Sequence, residues 1–305
     1  MQGYGDSAYA ESLSEFGQPR HLELSNGWLL ERTIPGFTGR DAMGCYPLFV
    51  CSDWSRLRED LENVRGDLIC VSLIADPLGE YDETHLRECF PDVVVPFKEH
   101  FLVDLSQPSD TFIDPHHRRN ARRALGELQV EKCASAADHL DDWLALYEQL
   151  IERHSITGFR AFSRECFAKQ LAVPGLVAFR AVKADVTVGM LLWYSQGNRA
   201  YYHLGAFSRL GYELGASFAL FDQSLKYFAE HDFQWLNLGA EAGVRTNEKS
   251  GLNRFKRGWS TGTRIAYLCG RIFQREKYLE LIEAHNVPAT KYFPAYRAGE
   301  FGSSL

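Results

Sequence analysis

No stretch of the 305-residue chain approaches the roughly 20 consecutive apolar residues that a membrane-spanning helix needs, so no span is expected. Residues 1–18 carry Asp6, Glu11 and Glu15 and no basic opening, which argues against a secretory signal. The seven cysteines (45, 51, 70, 89, 133, 166 and 269) are odd in number and form no CxxC pair. Neither a disulfide framework nor a thiolate metal site is therefore expected. They read as small buried hydrophobes in a reducing cytoplasm, the expected location. The ten histidines include no HExxH, and no metal is expected. Positive charge is also short. A net charge of −7 argues against a general affinity for duplex nucleic acid or an anionic membrane, which requires a basic surface that releases counterions.

What is present is the pattern of an ordinary globular α/β chain, 45% hydrophobic and 24% charged, long enough for two domains. Residues 1–20 read as a loose leader. Strand-like runs at 28–34 and 46–51 precede a helix over 54–64 capped by Asp53, a buried strand over 68–74, a short helix near 83–89 and a strand at 100–105. Asp114-Pro115 announces a helix over 116–128, because Asp is a favoured N-cap and Pro suits the first helical position. Ala121, Ala124, Leu125 and Leu128 lie on one face of that helix, and Arg118, Arg119, Arg122 and Arg123 on the other.

Two helices, 138–154 and 163–171, lead into the clearest β signal. The runs 176–182, 186–194 and 200–207 are joined by connections too short for a parallel crossover, so an antiparallel meander is expected. A helix striped by Leu214, Phe218, Phe221, Leu225 and Phe228 follows, then a buried strand over 233–238, a Gly- and charge-rich loop over 239–250, and a last strand over 264–269. The expected division is a leader (1–20), a first lobe with a connecting basic helix (21–130), a second lobe (131–271), and a C-terminal helix and tail (272–305).

Two motifs carry a family resemblance. Gly251-Leu252-Asn253-Arg254-Phe255-Lys256-Arg257-Gly258-Trp259 resembles the G-L-x-x-F-K-x-x-F segment of FemAB-like proteins, and 117–124 (His-Arg-Arg-Asn-Ala-Arg-Arg-Ala) resembles their R-R-N-x-R-x-A helix. The element order around the meander resembles the GNAT acyltransferase fold, and the likeness covers about 101–269. It implies an α/β (α+β) protein of two GNAT-like lobes, with a mixed sheet that contains an antiparallel meander in the second lobe. It also implies transfer of an acyl group to an amine, with acyl-CoA as co-substrate and no tightly bound cofactor. FemAB-type transfer from aminoacyl-tRNA to a peptidoglycan precursor is the alternative, and a catalytically degenerate binding protein the non-enzymatic one. The acceptor is expected to be an amino sugar, an amino acid or a surface-polymer precursor. The long helical-hairpin arm of the peptidoglycan-bridge enzymes is missing, and the acetyl-CoA turn signature finds only Tyr212, Gly215 and Ser217.

Direct amine acylation needs the reactants held together, a proton acceptor for the amine and donors for the oxyanion. The turn Gly211–Ser217 opens onto a helix whose free N–H groups favour phosphate, which makes Gly211, Gly215, Ala216 and Ser217 the donor-binding candidates; the glycines can equally just form the turn. Strand alternation puts Tyr201, His203 and Gly205 on one face, with His203 either a general base or a satisfied structural histidine. Glu241, beyond the buried strand, is an alternative base. The resemblance gives Lys256 a site role, with Leu252, Phe255 and Trp259 expected to pack inward around it. Arg118, Arg122, Tyr201 and Phe255 are the substrate-binding candidates, with a solvated helix face as the plainer account of the arginines.

Overall fold

The computed structural model describes residues 1–154, 162–240 and 251–300. In chain order the first elements are α1 (Ser7–Ser12), β1 (Gln18–Leu22), β2 (Gly27–Thr33), β3 (Arg40–Gly44), α2 (Leu57–Val64), β4 (Cys70–Ile74) and α3 (Glu83–Cys89). Then come β5 (Val93–Asp104), α4 (Ser109–Phe112), α5 (Pro115–Leu125), β6 (Gln129–Lys132), α6 (Leu140–His154) and α7 (Arg164–Gln170). The meander is β7 (Leu176–Lys183), β8 (Val186–Gln196) and β9 (Arg199–Phe207). After it stand α8 (Arg209–Glu213), α9 (Ala216–Glu230), β10 (Trp235–Asn237), α10 (Gly251–Arg257), β11 (Gly262–Ile272) and α11 (Arg275–Ala284).

The chain forms two compact units, Gly3–Lys98 with the segment from Ile265 on, and Glu99–Arg264. The boundary falls at residue 99, not near 130. The basic helix α5 belongs to the second unit because Ala121, Ala124 and Leu128 are sealed into the same core as Phe221, Leu225 and Phe228. The last strand returns to the first unit, where Leu268–Ile272 pair antiparallel with Cys70–Ile74. The expected loose leader is ordered. Asp6 caps α1 by accepting the N–H of Ala8 at 2.9 Å, and Tyr4, Tyr9 and Leu13 are buried, which an apolar surface alone achieves despite the polar composition. The run 46–51 is not a strand; it contributes a single parallel bridge, Phe49 to Ala75. In the C-terminal segment Arg297 meets the fully buried Asp41 at 2.6 Å, so this tail is held by a buried ion pair.

In the second unit the strand order is β5-β10-β9-β8-β7-β6. The antiparallel meander is present as expected. Its two turns are two-residue hairpins. Ala184 and Asp185 both take positive φ, as does Gly197, the geometry that matches strand twist. A β-bulge between Leu192 and Trp193 of β8 pairs Leu192 with Leu204 but Trp193 with Tyr202, which leaves His203 as the extra residue of β9. The bulge breaks the expected alternation. Tyr202 faces the main core, and a Cβ on Gly205 would meet the Tyr202 hydroxyl and Leu191, so Gly205 faces that core too and not with Tyr201 and His203.

One backbone approach is tight enough to test. A Cβ on Gly211 would lie 2.0 Å from the carbonyl oxygen of Val188, so α8 reaches β8 only through a glycine. Gly211→Ala is expected to lower unfolding stability by about 1–3 kcal/mol, and Gly262→Ala, where nothing lies within 4 Å, to change it by less than about 0.5 kcal/mol. Urea midpoints would check this. Equal midpoints for the two variants would remove the packing role of Gly211.

Candidate active site

β10 is only three residues long. It pairs antiparallel with Leu102–Asp104 of β5 and parallel with Arg199–Tyr201 of β9. β9 runs on to Phe207, so the parallel pairing ends while β9 continues, and a gap opens between the strands at the C-terminal end of β10. Ligands of open α/β sheets are held at such strand ends.

The polar groups at this end are tied together. Asn237, 1% exposed, accepts the N–H of Gly239 on Oδ1 at 2.8 Å, which fixes the amide orientation. The same oxygen lies 3.0 Å from Nδ1 of the buried His100. Nδ1–H must therefore be the donor, which sets the orientation of the ring. Nδ2 of Asn237 is buried with no acceptor among the described residues, a situation that costs about 1–3 kcal/mol and marks where a ligand oxygen would be welcome. Gly239 turns the chain at φ +74°, and a Cβ there would sit 3.3 Å from Nζ of Lys256. Lys256 is 5% exposed. Its ammonium donates to the Ala240 carbonyl at 2.6 Å and stands 5.5 Å from the ring centre of Tyr202.

The helical spacing expected in 251–259 therefore turns differently. Lys256 and Trp259 point inward, while Leu252 is 38% exposed. Phe255 is committed to packing, 5.4 Å from His117, 5.1 Å from Phe218 and 5.0 Å from Phe221, so it acts as a wedge that seats α10 and not as a substrate contact. Glu241, next in sequence to Ala240, lies outside the described residues.

His203 is not brought to this group. Its Nε2 lies 3.2 Å from Oε1 of the buried Gln170, with Tyr194 beside it at 5.1 Å. Gln170 Oε1 only accepts, so Nε2 carries the proton. Burial pushes the ring pKa down to about 3. A nitrogen of such low basicity is poorly matched to taking a proton from an amine, and the environment supports the structural reading of His203. Tyr201, 2% exposed, is likewise enclosed on β9 beside Asn237.

Among the donor-binding candidates, Gly211 and Ala216 have packing roles, against β8 and inside the core. Gly215 is the N-cap of the fifteen-residue α9 at φ +71°, and Ser217 is half-buried in its first turn. Because any side chain at Gly215 is strained by the positive φ, a Gly215→Val variant would not leave the fold untouched. Arg118 is half-buried with Nη1 donating to the Asp110 carbonyl at 3.3 Å, and Arg122 is exposed. His100, Asn237 and Gln170 escaped the sequence reading. The available signal was a polar residue inside an apolar strand, in Trp-Leu-Asn-Leu and in His-Phe-Leu-Val.

With this geometry in place, residues 116–257 match the family model of the acetyltransferase (GNAT) domain. That span resembles a GNAT domain. The fold is similar to that of FemX. The crystal structure of FemX is similar over 90% of this chain and 93% of that one, with a TM-score of 0.65 at 14% identity. The C-terminal domain of a putative lysylphosphatidylglycerol synthetase from Agrobacterium fabrum gives 0.61 at 17% identity, covering 92% of this chain and 91% of that one. L-PGS from Bacillus licheniformis gives 0.57 at 16%, covering 88% and 92%. No curated protein matches the chain. The family relation supports acyl transfer as the class of chemistry. Among the described residues no helix is long and apolar enough to cross a membrane.

The neutral state of His203 has a pH consequence. Its folded pKa is about 3 and its unfolded value about 6.5, so between these values the unfolded chain binds the extra proton. The contribution is fully present above about pH 6.5 and is lost as pH falls toward 3. His117, also lowered by burial, acts with the same sign. The thermal midpoint of the wild type should fall more steeply than that of His203→Gln from about pH 6.5 to about pH 4. Parallel curves would show that His203 is not held neutral.

Proposed function

We propose that the Glu99–Arg264 unit is a GNAT-type N-acyltransferase, passing an acyl group from acyl-CoA to an amine on an amino sugar, amino acid or surface-polymer precursor by direct attack. The observation that carries this reading is the buried ammonium of Lys256 at the end of β10, where β9 and β10 part. The amine nitrogen adds to the thioester carbonyl, the C–S bond breaks, and the thiol leaves with a proton. Lys256 stabilises the negative charge that develops on the carbonyl oxygen or the leaving sulfur. The N-terminus of α9 behind Gly215 receives the donor phosphate. The proton of the amine passes to a base at the same strand end, for which His100, oriented by Asn237, is the candidate.

A second reading, transfer of an aminoacyl group from tRNA to a peptidoglycan precursor, draws on the likeness to FemX along nine-tenths of the chain. A thermal-shift titration with acetyl-CoA, CoA and aminoacyl-tRNA separates the two, because a ligand at 100 times its Kd adds about 2.7 kcal/mol of stability to the state it binds. Stabilisation by CoA compounds supports the first reading, and stabilisation by aminoacyl-tRNA alone supports the second. No response to any of them would favour a degenerate binding protein.

Because Lys256 is buried, its removal also disturbs the fold. Lys256→Met keeps the apolar stem and is expected to lose about 1–3 kcal/mol, since the Ala240 carbonyl is left without this donor. Its transfer rate should fall by on the order of 10²-fold. Lys256→Arg should recover only part of the rate, because a planar fork does not replace a compact ammonium. A Lys256→Met protein with undiminished turnover would refute the assignment.

A further inference from the structure

The arginines of the described chain fall into two populations. Most stand within 4 Å of a carboxylate, such as Arg56 with Glu59, Arg87 with Glu83 and Arg180 with Glu131. Those of α5 and α10 do not. Arg118, Arg119, Arg122, Arg123, Arg254 and Arg257 have no carboxylate partner among the described residues, although the chain carries a net charge of −7. Six guanidiniums on two neighbouring helices, with no carboxylate within 4 Å among the described residues, are a concentrated positive field.

Three of them, Arg118, Arg254 and Arg257, line one cleft of about 610 Å³ together with Phe112, His116 and Gly258. The cleft is rigidly built. The N–H of Asp114 donates to the Gly258 carbonyl at 2.9 Å, and Nε2–H of His117 donates to the Phe255 carbonyl at 3.0 Å. A Cβ on Gly258 would lie 2.4 Å from the His117 ring, so the glycine is what lets α10 close against α5. The two helices thus hold their arginines at a set spacing.

Two carboxylates, Asp110 and Asp114, also line the cleft. Asp114 is turned to its own helix, accepting the N–H of His116 at 2.7 Å as the N-cap. Asp114, His116 and His117 also bring ligand-type atoms within 4.8 Å of one another. A cation there would face three guanidiniums and the positive end of the eleven-residue α5, so the field of the cleft selects against it.

We propose that this cleft is a diphosphate site, taking the paired phosphates of a small nucleotide-type ligand. Guanidinium forks match phosphate oxygens in pairs, and Arg254 and Arg257 are three residues apart, on one side of α10. The volume is that of a small-molecule pocket and not of a groove for an extended strand. The arginines of the cleft are turned away from Lys256, which α10 directs inward to Ala240.

Calorimetric titration of the full chain with inorganic pyrophosphate, a nucleoside diphosphate and a single-stranded RNA oligonucleotide tests this. Pyrophosphate and the nucleoside diphosphate should bind one site per chain, compete with each other and weaken as salt rises. The double variant Arg254→Ala/Arg257→Ala, with an unchanged circular dichroism spectrum, should bind them at least tenfold more weakly. Arg56→Ala, which removes a guanidinium already paired with Glu59, should bind like the wild type. The proposal is overturned by an absence of saturable diphosphate binding, by full binding in the folded double variant, by an equal loss of binding in Arg56→Ala, or by RNA binding that pyrophosphate does not displace. Loss of transfer is not among these readouts, so the cleft and the acyl-transfer reading can fail independently.

Discussion

β10 makes both of its pairings over the same three residues, antiparallel to β5 on one side and parallel to β9 on the other, and the second unit is organised around that restriction. Parallel neighbours must be joined by a crossover, here α8 and α9, and the crossover puts a helix N-terminus at the end of β9. Because β10 stops at Asn237 while β9 runs on six residues further in register, the strands cannot stay paired. The backbone of the following segment is then free to turn at Gly239, which presents the Ala240 carbonyl to Lys256. A longer β10 would zip this opening shut and leave nothing for the lysine to guard.

The polar groups at that end are costly to bury, and they are arranged so that each fixes another. An ammonium taken out of water loses several kcal/mol of hydration unless partners replace it, and Lys256 has the Ala240 carbonyl and the face of Tyr202. Asn237 accepts twice on one oxygen, so a single carboxamide sets both the Gly239 turn and the tautomer of His100. A surface lysine would have bulk water as its competitor. Here the low local dielectric strengthens whatever the ammonium faces, which suits charge developing on an attacked carbonyl.

The meander and its turns were legible in the sequence because they depend on local rules, a period of two and short connections that tolerate positive φ. The helix opened by Asp114-Pro115 was legible for the same reason, since the cap acts within three residues. The inward side of 251–259 was not. Periodicity places Phe255 and Lys256 one residue apart and cannot say which of Leu252 or Lys256 meets the core, a choice made by the Ala240 carbonyl sixteen residues upstream. The alternation on β9 also misled, since one extra residue opposite Leu192 and Trp193 reverses every side chain beyond it, and a bulge leaves no mark in composition. His100 and Asn237 meet across 137 positions of sequence, and only strand pairing brings them together.

The motif around Lys256 therefore has two chemically different sides, made by one short helix. Lys256 is buried against Ala240, where a compact ammonium can act at a single point in a dry setting. Arg254 and Arg257 lie in an open cleft, where planar forks suit doubly bonded oxyanions that arrive hydrated. Phe255 sits between them and is gripped by Phe218, Phe221 and His117, so a displacement of α5 passes through the His117 hydrogen bond to the backbone of α10. The arginine-rich helix and the lysine segment are distant in sequence, yet this contact makes them one mechanical unit. A ligand held by Arg254 and Arg257 would bear on the same short helix that carries the lysine.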